Sequence, residues 1–155
     1  TIEGVCAFDM HTETFETIQE GSGYSITYSS DTLLIGGNGF VYYYDVLNHE
    51  VKPYCSIEGD MQVSSMLKDK AGRLWVGTRD KGLYCLKEGQ MKQLCALPQC
   101  NVFNLYQDSS GDIWVCTWED GLYHISDNGT VHYTDKGIDK TRCISSNSVR
   151  DCCEV

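Results

Sequence analysis

A segment of this chain recurs 39 residues later. Residues 63–94 align with residues 102–133 in one register, and Trp75 then falls on Trp114. Fixed-period similarity of this kind predicts successive copies of one structural unit instead of a single irregular core. Other identical pairs at the same offset include Asp69 and Asp108, Gly72 and Gly111, Thr78 and Thr117, Gly82 and Gly121, Leu83 and Leu122, and Tyr84 and Tyr123.

A third, weaker copy precedes these two. It begins near Tyr24, has Leu34 where the next copy has Trp75, and has Gly39 where the next copy has Gly82. The turn between these two positions is shorter than in the later copies. We therefore expect a degenerate unit that has lost its tryptophan.

Each copy contains four short strand patterns separated by turn residues. In the copy that contains Trp75 they are VSSMLKD, RLWVGT, GLYCLK and QMKQLC. Asp69 stands three residues before Gly72, the order that a type I turn favours, so the first two strands should form a hairpin. A period near 40 with four strands per unit is typical of β-propeller blades.

The predicted fold class is therefore all-β, a β-propeller fragment of about three four-stranded antiparallel blades with a partial blade at each end. Because one blade cannot bury both apolar faces alone, its repeated apolar residues should pack between neighbouring blades. A closed ring needs about four blades or more, so we expect a larger ring and association between copies through exposed edges. We predict five units along the chain. Their boundaries are 1–23 for outer strands of a preceding blade, 24–61 for the degenerate blade, 62–101 for a blade, 102–147 for a blade with a long connection, and 148–155 for the first strand of a following blade.

Composition narrows the classes of partner. A net charge of -10 and a pI near 4.6 disfavour nucleic acid and anionic membrane surfaces, which bind through Lys and Arg. No apolar run approaches the roughly 18 residues of a membrane helix, and the N-terminus shows no basic segment followed by an apolar stretch. The nine Cys are not spaced as a zinc site, so we predict no metal and mostly buried, inert thiols.

The two strong copies carry a recognisable motif. The segments DKAGRLWVGTRDKGLY, from Asp69, and DSSGDIWVCTWEDGLY, from Asp108, resemble the two-component regulator propeller repeat. The resemblance implies the periplasmic sensor region of a bacterial hybrid two-component histidine kinase, the extracytoplasmic part of an inner-membrane protein. It also implies an oligosaccharide ligand, with the remaining propeller and kinase modules of a longer chain as partners. The motif residues themselves are scaffold residues and carry over as blade-forming positions only.

Candidate binding residues come from positions where the copies differ. In a four-stranded blade, the turns between the second and third strands share one face with the connections to the next blade, and variation there suggests ligand contact. Aromatic faces stack on sugar rings, while Arg and Asn hydrogen-bond to hydroxyl groups. The predicted ligand-binding set is Trp118, Arg79, Arg142 and Asn38. A Trp118 that only covers its own loop, or that fills an interface with another chain, is the alternative.

Catalysis has little support in the sequence. The turn carboxylates Asp69 and Asp108 recur once per copy, which indicates turn chemistry, and the four His show no metal or triad spacing. Tyr42, Tyr43 and Tyr44 should alternate between the two faces of a strand and fill the core. We therefore predict no catalytic residue and no cofactor. The alternative to a sensor is a non-catalytic scaffold for contacts between proteins or domains.

Overall fold

The computed structural model describes residues 4–155 apart from 22, 30, 31, 58, 88, 95, 96, 98 and 137–142. The described residues form strands, turns and irregular segments. None of them forms a helix able to cross a lipid bilayer. The strands are β1 Gly4–Asp9, β2 Thr14–Glu20, β3 Ser25–Ser29, β4 Thr32–Gly36, β5 Phe40–Asp45, β6 Glu50–Ser56, β7 Val63–Lys68, β8 Leu74–Thr78, β9 Leu83–Lys87, β10 Gln90–Gln93, β11 Asn101–Gln107, β12 Ile113–Trp118, β13 Leu122–Ser126 and β14 Gly129–Tyr133.

Twelve of the strands build three four-stranded antiparallel sheets, here called blade 1 (β3 to β6), blade 2 (β7 to β10) and blade 3 (β11 to β14). In each blade the spatial order follows the chain order, so every blade is a meander of hairpins. The hairpin of β1 and β2 precedes them. The first strands β3, β7 and β11 lie side by side and form the inner edge of the stack. The predicted fold class, a propeller fragment, is confirmed.

The core lies in layers between adjacent blades. Trp75 belongs to the layer between blades 2 and 3, together with Leu83 and Val115. Its neighbour Val76 belongs to the layer between blades 1 and 2, because successive side chains of a strand point to opposite faces. Leu34, which replaces the tryptophan in blade 1, is buried in that same layer. The apolar residues of the repeat therefore pack between blades, as the pattern predicts.

The Asp69 carboxylate anchors the first turn of blade 2. The backbone carbonyl of Asp69 accepts a hydrogen bond from the Gly72 amide, and the φ of 81° at Gly72 suits glycine. The Asp69 Oδ1 accepts a hydrogen bond from the Arg73 amide. Its Oδ2 accepts the indole N–H of Trp75 at 2.8 Å and the Arg73 Nε at 2.6 Å. The repeat Asp is thus a turn residue, as predicted, and also fixes the orientation of the repeat Trp.

Blade 3 repeats this arrangement with one difference. Asp108 Oδ2 accepts the indole N–H of Trp114 at 2.8 Å, and this bond is the main reason that the pKa of Asp108 lies below its ordinary value. Trp114 remains partly exposed, whereas Trp75 is 5% exposed. The hydrogen bond between the Trp indole and the turn Asp is therefore common to both copies of the repeat. The burial of the Trp side chain depends on whether another blade covers it.

Residues 148–155 are not a strand in the structure, although we expect them to be the first strand of a following blade. A strand assignment requires a backbone ladder, and no described strand pairs with this segment in one. The Val149 amide nevertheless donates to the Thr117 carbonyl at 2.9 Å, as the Val63 amide donates to the Gly37 carbonyl at 3.1 Å. The segment therefore lies against blade 3 in the place that β7 takes against blade 1.

Close approach of the blades makes Gly77 sensitive to substitution. A Cβ at this position would overlap the side chain of Val102 on β11. We expect Gly77→Ala to lower the free energy of unfolding by about 2 kcal/mol, because a packed neighbour must shift. Urea unfolding followed by tryptophan fluorescence measures this loss. The double variant Gly77→Ala/Val102→Ala should lose less free energy of unfolding than the two single variants lose in total. Strictly additive losses would contradict the steric explanation.

Candidate functional site

Three of the four predicted site residues occupy one repeat position. Asn38, Arg79 and Trp118 each stand one residue after the position held by Gly37, Thr78 and Thr117, at the end of the second strand of their blade. All three are exposed. The fourth, Arg142, lies outside the described residues. The stack of blades therefore places equivalent, chemically different side chains in a row along one end of the inner strands.

An open cleft of about 560 Å³ brings two of these residues together. Arg79 of blade 2 and Trp118 of blade 3 both line it, along with side chains from the inner strands and their preceding connections. Asn38 is not among the lining residues, but it pairs with Gln62, which is one of them. The other lining residues are Tyr24, Ser64, Asn101, Val102 and Phe103.

The Arg79 side chain is held at the cleft by Gln62. The Arg79 Nη1 donates to Gln62 Oε1 at 3.0 Å, and the Arg79 amide donates to the Gln62 carbonyl at 3.0 Å. A guanidinium has five N–H donors, and this side-chain bond uses one of them. Arg79 can therefore donate further hydrogen bonds to a ligand without giving up its anchor.

Trp118 sits in an aromatic and cationic cluster. Its ring centroid is 5.3 Å from that of Phe103, and the Arg150 guanidinium carbon lies 5.9 Å from both centroids. These distances allow a cation–π contact. Trp118 remains 39% exposed in spite of these neighbours. The ring is thus both packed and partly open to the cleft.

Sequence reasoning overlooked Phe103 and Arg150. Phe103 stands where blade 2 has Ser64, so the comparison between copies that singled out Trp118 could have found it. The Ser64 hydroxyl donates to the Val102 carbonyl of the next inner strand at 2.6 Å, which phenylalanine cannot do. Arg150 follows a long connection that breaks the 39-residue register, so the repeat gave no signal for it.

Three polar side chains of blade 3 are close enough to share a cation. The ligand atoms of Asp108, Asp112 and His124 lie within 4.8 Å of one another, and His124 Nε2 is 2.9 Å from Asp112 Oδ2. Blade 2 has Arg73 at the position of Asp112, and it pairs with Asp69. Because the groups in blade 3 are already hydrogen-bonded within the blade, we assign them to stabilising the turn.

Comparison with known proteins bears on the family and on the fold. The family model described as "Two component regulator propeller" matches residues 57–80 and 96–119. A search of curated proteins finds no match. Among solved structures, the extracellular domain of BT4673 from B. thetaiotaomicron has a TM-score of 0.78 at 20% identity over 97% of this chain. It is described in one structure as a one component system and in another as a hybrid two component system.

Two further structures show the same blade architecture. The extracellular domain of BT3049 from B. thetaiotaomicron, described as a hybrid two component system, has a TM-score of 0.72 at 20% identity over 96% of this chain and 21% of its own. Virginiamycin B lyase from Staphylococcus aureus has a TM-score of 0.59 at 18% identity over 72% of this chain and 40% of its own. The chain spans 22% of the BT4673 domain. At these identities the likeness shows a shared fold, and residues 57–80 and 96–119 match the model of the two-component regulator propeller repeat.

Proposed function

We propose that this chain is part of the extracytoplasmic sensor region of a hybrid two-component histidine kinase, and that its cleft binds an oligosaccharide. The family of the repeats supports the signalling assignment, and so do similar structures described as extracellular domains of two component systems. The same comparison supports a periplasmic location. The remaining propeller blades and the kinase modules are then partners within a longer chain.

The chemistry of the cleft fits a sugar. Trp118 offers a partly exposed aromatic face, Arg79 offers free N–H donors, and Gln62 and Asn101 offer amide groups beside them. Sugar rings present C–H faces that pack on aromatic rings, and hydroxyl groups that pair with such polar side chains. A volume of about 560 Å³ lies within the usual range for small-molecule sites. The observation that carries the proposal is that Arg79 and Trp118, from different blades, line one cleft.

Binding measurements on the 155-residue chain test this proposal. A glycan array identifies ligands, and isothermal titration calorimetry then compares the parent chain with Trp118→Ala and Arg79→Ala. We expect each substitution to weaken binding by about tenfold, since loss of a stacking face or of a guanidinium donor removes roughly 1.4 kcal/mol. Phe15→Ala is a matched control, because Phe15 is an exposed aromatic residue outside the cleft. Sugar binding that survives both cleft substitutions would refute the proposed site.

A non-catalytic scaffold is the second candidate. Phe103 and Arg150 already engage Trp118, and Trp114 is only partly covered at the position where Trp75 is buried between blades. Both features suit a surface that packs against another blade or another copy of the chain. Sedimentation velocity distinguishes the two candidates. A stable oligomer that Trp118→Ala dissociates, with no glycan bound, favours the scaffold.

A further inference from the structure

Three of the described cysteines have surroundings that keep them unreactive. Burial raises the pKa of Cys55 and of Cys100 to about 11, and it also raises the pKa of Cys85. A thiol with a raised pKa is protonated near neutral pH and is a poor nucleophile. The buried Cys85 and Cys100 agree with the prediction of buried, inert thiols, whereas Cys6 and Cys153 are exposed and depart from it.

Cys116 and Cys152 are different because their sulfur atoms touch. Cys116 lies on β12 and is fully buried, while Cys152 belongs to the C-terminal segment that lies against blade 3. The Cys116 Sγ is 3.5 Å from the Cys152 Sγ. The two atoms need to approach by about 1.5 Å to reach the disulfide bond length of roughly 2.05 Å.

The repeat shows why this contact is unusual. Cys116 replaces a glycine that the other blades keep, since Gly36 and Gly77 hold the same place beside the first strand. A Cβ at Gly36 would overlap Val63, and one at Gly77 would overlap Val102. In blade 3 the small residue is lost and a thiol stands there instead. The segment that faces this blade supplies a second thiol at the point of contact.

We propose that Cys116 and Cys152 form a disulfide that fastens the C-terminal segment to blade 3. Other contacts already place this segment, among them the bond from Asn104 Nδ2 to Asp151 Oδ1 at 2.7 Å and the bond from the Ser109 amide to Glu154 Oε2 at 2.8 Å. The disulfide adds a covalent link between β12, the second strand of blade 3, and the segment that takes the place of the next inner strand. The disulfide requires no bound sugar, so it can form whether or not the cleft binds an oligosaccharide.

The geometry assigns different roles to the two thiols. Cys152 lines an open cleft of about 340 Å³ together with Cys153 and Glu154, so a disulfide oxidant can reach it. The hydrogen bond from Cys116 lowers the pKa of Cys152, which favours the nucleophilic thiolate there. Cys116 is the buried partner that completes the bond.

The chemical step is thiol–disulfide exchange with a low-molecular-weight or protein disulfide. The Cys152 thiolate attacks one sulfur of the oxidant, forms a mixed disulfide and releases the first thiolate. The Cys116 thiol then loses its proton to that thiolate and attacks Cys152 Sγ, which releases the second thiolate. This thiolate takes up the proton that Cys152 lost when it ionised. Two protein thiols are oxidised and one external disulfide is reduced to two thiols.

Peptide mapping of the unmodified chain tests the link directly. The folded 155-residue chain is equilibrated with glutathione disulfide, its remaining thiols are blocked with N-ethylmaleimide, and it is digested with trypsin without reduction. Cleavage after Arg150 releases residues 151–155, which contain Cys152 and Cys153. Tandem mass spectrometry should find this peptide joined through Cys152 to Cys116 in most molecules. Recovery of the peptide unlinked to Cys116, or linked to it through Cys153, from a chain with intact β-sheet circular dichroism overturns the proposal.

Three variants sharpen the test. Cys153→Ser leaves Cys152 as the single thiol of that peptide and should keep the link. Cys152→Ser and Cys116→Gly should abolish it, and the second restores the residue that blades 1 and 2 have at this place. Oxidation should raise the melting temperature of the parent chain by about 8 °C, and reduction should reverse this. An equal rise in Cys152→Ser, or no rise in a linked parent chain, would refute the stabilising link.

Discussion

Replacing Trp75 with alanine is expected to lower the free energy of unfolding by about 3–5 kcal/mol. The side chain is 5% exposed and packs in the layer between blades 2 and 3 with Leu83 and Val115. Its indole N–H also satisfies Asp69, whose Oδ2 would keep only Arg73 as a side-chain donor after the substitution. The loss therefore combines a cavity between the blades with a weakened turn. Urea unfolding followed by far-ultraviolet circular dichroism measures it.

Trp114→Ala is the matched control for this prediction. Trp114 has the same repeat position and the same bond to its turn Asp, but its side chain is only partly buried and stacks on His124 at 4.2 Å. We expect a clearly smaller loss of stability, because less apolar area returns to water. Equal losses in the two variants would mean that another surface covers Trp114 in solution. The interpretation of blade 3 as partly uncovered would then be wrong.

The fold could be predicted because the information is repeated. The offset that relates Trp75 to Trp114 also relates the Asp of each turn and the Gly that follows it, so each weak local signal was supported by its copy. Blade 1 has lost its tryptophan, yet Leu34 fills the same layer because the position is set by its neighbours. Residues 148–155 were expected to be a strand. A strand forms only when its backbone pairs with a neighbouring strand, and a sequence motif alone does not supply that neighbour.

The candidate site could be predicted only in part. Differences between copies pointed to Arg79 and Trp118, and the structure places both on one cleft. The hydrogen bond between Arg79 and Gln62 could not be predicted, since it depends on how the connection between blades runs. Arg150 reaches the Trp118 ring after a connection of irregular length, so its position relative to Trp118 is a property of the folded chain. The contribution of Arg142 stays a prediction.

The turn carboxylates illustrate a second limit. The spacing of Asp69 and Gly72 predicts a type I turn, and the bond from the Gly72 amide to the Asp69 carbonyl confirms the turn bond. The same spacing says nothing about the tryptophan six residues after the Asp. Only the hairpin geometry brings the indole N–H of Trp75 to the carboxylate, which then serves the turn and the core together.

This double role makes the stability of the chain depend on the charge of Asp69. Burial alone would raise the pKa of this carboxyl group, but the hydrogen bonds from Trp75 and Arg73 outweigh that effect and hold the pKa below its ordinary value of 3.8. A carboxyl group with a depressed pKa in the folded state stabilises that state above its unfolded pKa. The contribution is lost as the pH falls through the folded value, because the unfolded chain then binds more protons.

Asp69→Asn is expected to lower the free energy of unfolding by about 3 kcal/mol at neutral pH, because one carboxylate oxygen that accepts hydrogen bonds becomes an amide donor. The Asp69 side chain is fully buried, so water cannot replace the lost acceptor. Urea unfolding of the parent chain and of Asp69→Asn is measured between pH 7 and pH 3. The gap between their free energies of unfolding should be constant above about pH 5. The gap should narrow below the ordinary carboxyl pKa, where the parent chain loses its charged Asp69 and the variant has none to lose. If the gap widens on acidification, or stays the same down to pH 3, the charged carboxylate does not anchor the turn and the tryptophan in the way that the hydrogen bonds indicate.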